Sequence, residues 1–180
     1  MSHAFSGVLL NPVQVAPTPA SHGYTSEVLW DEDRKDVGGS ATNWAPVIAS
    51  ALLTIKNECN RDGWDGPGSH AISDVTISLA EEIAACLFTS LRRQAPPPDV
   101  IPEADGEICM SWSVDRDYLF SLSIGEHGKI NYMGQFGIEG AQHGWQPVDA
   151  SNRVALEASL GDVIRQLNRL FPQFTLRRAA

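Results

Sequence analysis

A chain of 180 residues, 43% of them apolar, has room for one hydrophobic core and is short for two. Its formal charge of −9 and pI of about 4.9 weigh against direct binding to nucleic acid or to anionic membranes, both of which rely on Lys and Arg neutralising negative charge. A mean hydropathy of −0.15 is ordinary for a globular protein, and no stretch reaches the ~20 apolar residues of a membrane span.

Residues 1–39 read as a flexible N-terminal arm, because Pro12, Pro17, Pro19 and Gly23 interrupt every apolar pattern before it completes two turns. Within it, Val28-Leu29-Trp30 offers an aromatic expected to dock on the chain's own domain. The apolar run Val8-Leu9-Leu10 has no charged residue before it and meets Pro12 at once, unlike a secretory signal, so a cytoplasmic location is expected. A single domain is expected over residues 40–174, with a frayed tail over 175–180.

Thr42 or Asn43 can cap a first helix that tolerates Pro46 in its first turn, with Trp44, Ile48, Leu52, Ile55 and Cys59 as one apolar stripe. The run from Asn60 to Gly68 is dense in turn-forming residues and should end it. Ser73 caps a second helix, with Ile72 and Ile77 at hydrophobic-staple positions and a stripe of Val75, Leu79, Ile83, Cys86, Leu87 and Leu91. Arg92 and Arg93 suit the negative end of its dipole. Pro96-Pro97-Pro98 then forbids helix and favours a stiff extended segment through Pro102.

From Glu107 the apolar period changes to two. Ile108, Met110, Trp112 and Val114 alternate with small or polar residues, as do Tyr118, Phe120, Leu122 and Ile124 after a turn at Asp115-Arg116-Asp117. Gly125-Glu126-His127-Gly128 returns the chain into Lys129–Met133, and Gly144–Pro147 can add a short edge strand. Ser151 is the expected cap of a last helix in which Leu156, Leu160, Val163, Leu167 and Leu170 form the stripe, Gly161 costs about 1 kcal/mol against Ala, and Pro172 ends the helix. The expected fold is therefore α+β: a three- to four-stranded antiparallel meander packed by about three helices, in the order α-α-β-β-β-α.

Chemistry-bearing patterns are sparse. Cys59, Cys86 and Cys109 are widely spaced, with no C-x-x-C, and the histidines 3, 22, 70, 127 and 143 include no helical H-x-x-x-H pair, so no metal or other cofactor is implied. Cys59 and Cys86 sit in helical stripes and read as core. Cys109 lies on the polar face of its strand and is the one candidate reactive thiol, although a structural role explains it as well. Gly134, Gly137 and Gly140 match neither the dinucleotide nor the phosphate-loop spacing.

Two stretches remain. Asp99, Glu103, Asp105 and Glu107 form an acidic run without a basic residue; it is either a solvated edge or negative charge offered to a basic partner. Trp64, in Gly63-Trp64-Asp65-Gly66-Pro67-Gly68, either staples an interhelical loop to the core or belongs to a recognition surface. Trp64, Asp65, Asp99, Glu103 and Asp105 are the candidate partner-binding residues.

Gly63-Trp64-Asp65-Gly66-x-Gly68 followed by Pro96-Pro97-Pro98-x-Val100-x-Pro102-x-x-Asp105-Gly106-x-Ile108 and Trp112 resembles a set of small uncharacterised bacterial proteins with a WDGxG loop and a PPPxVxPxxDGxI…W motif. The match covers about 50 residues. It implies bacterial or phage origin and carries no chemistry with it; where such proteins often place Leu-Glu before the strand Trp, this chain has Met110-Ser111. Small size, acidity and the absence of catalytic motifs then point to a non-enzymatic protein-interaction module, of the antitoxin-like or anti-defence (anti-CRISPR-type) inhibitor kind. The alternative is a small enzyme using Cys109 or the carboxylates near Asp105, with His127 or His143 brought close by the fold.

Overall fold

The computed structural model describes residues 43–91, 95–137 and 140–171. The arm over 1–39 with its Trp30, the Arg92-Arg93 pair and the tail over 175–180 lie outside the described residues.

Helix α1 (Trp44–Glu58) is capped by Asn43, whose side chain accepts from the Ala45 amide. Trp44, Ile48, Leu52, Ile55 and Cys59 are all buried, as their spacing requires. Helix α2 (Asp74–Ser90) starts at Ser73, which accepts from the Thr76 amide, with Asp74 in the favourable first turn. Its stripe holds at Leu79, Ile83, Cys86, Leu87 and Leu91, but Val75 is 60% exposed, and the fully buried Thr76 takes the inward position in the first turn instead.

Five strands follow: β1 (Asp99–Pro102), β2 (Ile108–Asp115), β3 (Tyr118–Ile124), β4 (Lys129–Phe136) and β5 (Ala141–Pro147), all antiparallel in the spatial order β1-β2-β3-β4-β5. The sheet thus has five strands where three to four were expected. The additional β1 is the stiff segment after the triple proline, paired as an edge strand where the missing amide of Pro102 does little harm. β5 begins three residues before the predicted Gly144, and its polar, glycine-containing sequence shows no apolar alternation because it too is an edge.

The last helix is two, α3 (Arg153–Ser159) and α4 (Gly161–Leu170), giving four helices among the described residues. Leu160 leaves helical geometry between them, yet it stays fully buried, so the 4-3-4-3 stripe runs unbroken through the bend. Asn152, rather than Ser151, supplies the cap, accepting from the Ala155 amide.

One face of the sheet carries Ile108, Met110, Trp112, Phe120, Leu122, Ile124 and Ile130, all buried against the helices. Each such side chain contributes roughly 1.5–3 kcal/mol on leaving water. Trp44, Trp112, Phe120 and Tyr132 form a continuous line of ring contacts with centroids 6.0–6.2 Å apart. Gly134 is required beside it, since a Cβ there would lie 2.6 Å from the Phe136 ring. Both core tryptophans also hold the chain entering β1: Trp44 Nε1 donates to the Ala95 carbonyl at 3.0 Å and Trp112 Nε1 to the Pro96 carbonyl at 3.1 Å. Val114, Tyr118 and Met133, at the strand ends or on the opposite face, remain exposed. That opposite face displays Cys109, Ser111, Ser121, Ser123 and Asn131, with Met133 and Trp145 standing proud of it.

Candidate functional site

The chain between α1 and α2 is closed by the Ile72 amide, which donates to the Cys59 carbonyl at 2.8 Å. Inside that closure Gly63 N–H donates to the Ser69 carbonyl, and the buried Ser69 hydroxyl donates to the Gly66 carbonyl while accepting from the Asp65 amide. The Asp62 carboxylate accepts from the Ala71 amide at 2.9 Å. Trp64 is half-buried against the core and donates its indole N–H to the His70 carbonyl at 2.8 Å, so its ring braces this loop. Asp65 next to it is exposed.

The turn between β1 and β2 is built on the same scale. Glu103 N–H donates to the Glu107 carbonyl at 2.8 Å, Gly106 N–H to the Glu103 carbonyl, and Glu107 N–H to the Asp105 carboxylate. The two loops then join: His70 N–H donates to the Ala104 carbonyl at 2.8 Å. Gly106 sits at φ +90° with the Ala71 carbonyl oxygen 3.3 Å from where a Cβ would be, so only glycine suits both the turn and the approach of the other loop. The WDGxG loop and the DG turn, some 40 residues apart in sequence, are one structure.

Oxygen atoms of Glu103, Asp105 and Glu107 all lie within 4.8 Å of one another. The Ser123 hydroxyl contacts both Glu103, at 2.6 Å, and Glu107. Having one proton, it can donate to only one carboxylate at a time. Among the described residues these three carboxylates could hold a hard cation, but with Ser123 they offer four oxygen-bearing side chains against the six to eight ligands of calcium. Asp99, at the far end of β1, is exposed and pairs in the ladder with Ser111, well removed from the group.

Cys109 neighbours this cluster. Burial and then the Glu103 charge push its thiol up to about 11, partly opposed by a hydrogen bond involving the Leu122 backbone. Burial likewise raises Cys59 and Cys86. A thiol so placed is protonated near neutrality and a poor nucleophile. The fold brings neither candidate histidine to Cys109. His143 stands on β5, three strands away or about 14 Å, and His127 is in the β3–β4 turn beside Glu126.

The described clefts lie elsewhere. A shallow one of about 480 Å³ runs between α2 and the β3–β4 turn, with Leu79, Glu82, Glu126 and Val148 on its walls, and one of about 280 Å³ continues between α2 and α3. Neither includes Cys109, the three grouped carboxylates or a histidine.

The structure keeps Glu103 and Asp105 in one turn, joins the loop of Trp64 and Asp65 to it and sets Asp99 apart, whereas sequence reasoning grouped Asp99 with the other two acids and treated the Trp64 loop separately. That reasoning passed over Ser123, whose role depends on the β2–β3 register opposing it to Cys109, and Trp145, 65% exposed on β5. The one available signal for Trp145 was a large aromatic among polar neighbours. Comparison with protein-family models, with curated proteins and with solved structures found no match for this chain.

Proposed function

We propose that this chain is a non-enzymatic protein-interaction module, an antitoxin-like or anti-defence inhibitor of bacterial or phage origin that presents an acidic surface to a basic partner. The observation that carries the proposal is the joining of the Trp64 loop to the β1–β2 turn through His70 and Ala104, which gathers two separate acidic stretches at one end of the sheet. Asp62, Asp65, Glu103, Asp105 and Glu107 lie there, and the β3–β4 turn adds Glu126 at the same end. Lys56 at this end is already engaged by Asp74 at 2.7 Å. Preorganised negative charge of this kind favours rapid, salt-sensitive encounter with a positive surface, including one that otherwise grips nucleic acid. The resemblance of the two joined motifs to small bacterial proteins supports the origin. In this account Trp64 acts from behind, fixing the backbone that displays Asp65.

The rival, a small enzyme, retains only the grouped carboxylates as chemistry, since the Cys109 thiol is held protonated and the histidines lie apart. The test is affinity capture with the tagged chain from host lysate, beside a variant carrying Asp99→Asn, Glu103→Gln and Asp105→Asn. A stoichiometric partner captured by the parent and lost in the folded variant is expected. No partner, or one held equally by the variant, would overturn the proposal.

A further inference from the structure

The outer face of the sheet is self-complementary, and we propose that a second copy of this chain packs on it. None of the described helices covers this face: the buried residues of β2, β3 and β4 point the other way, and the edge strands β1 and β5 have none. It nevertheless carries Ile101 at 47% exposure, Met133 at 49% and Trp145 at 65%, the large side chains that anchor interfaces.

The order of side chains identifies the occupant. One ladder across the face reads Ile101, Cys109, Ser123, Asn131, Trp145, and the next reads Asp99, Ser111, Ser121, Met133, His143. One step beyond the first, Glu107 lies over Gly125, and Lys129 opens β4 with its Nζ 4.7 Å from the centroid of the Trp145 ring. Acidic groups therefore occupy the β1–β2 side, a cation and aromatics the β4–β5 side, and two serines the middle strand. A two-fold axis running along β3 and lying between two stacked sheets exchanges these sides without moving residues along the strands. It sets Glu107 of each copy against Lys129 of the other, Ile101 against Trp145 and Asp99 against His143. Ser121 and Ser123 meet their own counterparts at the axis, where small side chains let the sheets approach to the usual ~10 Å.

The size is sufficient. Five strands at ~4.8 Å spacing and about seven residues at ~3.3 Å make a face of roughly 550 Å². Two such faces bury about 1,100 Å², within reach of the ~1,000 Å² expected of a specific contact. This self-association shares Glu107 with the acidic surface proposed above, but it needs no foreign partner and would stand if capture from lysate failed.

Sedimentation equilibrium of the full chain from about 1 to 200 µM tests it. A dimer is expected that weakens in ~0.5 M salt. Glu107→Lys and Lys129→Glu should each weaken it at least tenfold, and the two together should restore it. Trp145→Ala should weaken it as well, and this exposed site leaves a test standing if a charge variant fails to fold. A chain monomeric throughout, or a dimer unaffected by Trp145→Ala and by both single charge reversals, would overturn the proposal; the second outcome would place the contact on another surface.

Discussion

Gly106→Ala should separate the contribution of the joined loops from that of the turn itself. At φ +90° an alanine carries backbone strain of about 1–3 kcal/mol. Its Cβ would also press on the Ala71 carbonyl oxygen from 3.3 Å, and relief of that contact pushes the Trp64 loop away and loosens the His70–Ala104 hydrogen bond, worth about 1 kcal/mol net. The expected total is about 2–4 kcal/mol, a large part of the ~5–15 kcal/mol that holds a typical domain. Gly66→Ala is the control. Gly66 has φ +107°, but a Cβ there meets nothing within 4 Å, so strain alone applies. Urea unfolding followed by tryptophan fluorescence gives both losses. With a slope near 2 kcal/mol/M, Gly106→Ala should lower the midpoint by roughly 1–2 M, and Gly66→Ala by about 0.5 M less than that. Equal shifts would refute the claim that loop-to-turn contact stabilises this end of the molecule.

Trp44→Phe removes the buried donor to the Ala95 carbonyl and should cost about 1–3 kcal/mol, read as a fall of roughly 3–10 °C in melting temperature. The raised Cys109 thiol makes stability depend on alkaline pH. From the ordinary value of 9.0 to the folded value of about 11, the unfolded chain releases its proton first, so this contribution is intact below pH 9 and is lost as pH rises toward 11. The difference in unfolding free energy between the parent and Cys109→Ser, measured across this window, should therefore fall with pH at up to about 1.4 kcal/mol per unit; a flat difference would show the thiol to be unperturbed. Gly161→Ala, at the first residue of α4 with only Arg165 Nη1 as near as 4.0 Å to the added carbon, should stabilise by about 0.5–1 kcal/mol in denaturant titration.

What could be read from sequence follows from how many sides of an element are buried. The stripes of α1 and α2 and the alternation of β2 and β3 were legible because each presses one face on the core, and burial imposes a period. Edge strands impose less: β1 is four residues ending in proline, and β5 turns Gln142, Gly144 and Gln146 toward the helices, with Gln146 donating to the Ser159 carbonyl and Gln142 accepting from Gln166. The bend at Leu160 left no mark because that side chain stays in the stripe. At the site, Glu103, Asp105 and Glu107 were visible as neighbours in one turn. Ser123 and the contact of His70 with Ala104 were not, since they depend on strand register and on the packing of distant loops.

The strictly sequential order of the strands also bears on how quickly this protein reaches its native state. Each strand pairs with the one just before it in the chain, so the sheet can zip hairpin by hairpin, closing short loops whose formation takes microseconds. The slow part of folding should then be the docking of Trp44 onto Ala95 and Trp112, which spans more than fifty residues and must await a formed β2. A half-made molecule would be a meander with its apolar side bare until α2 and α4, which pack on β2, β3 and β4, cover it.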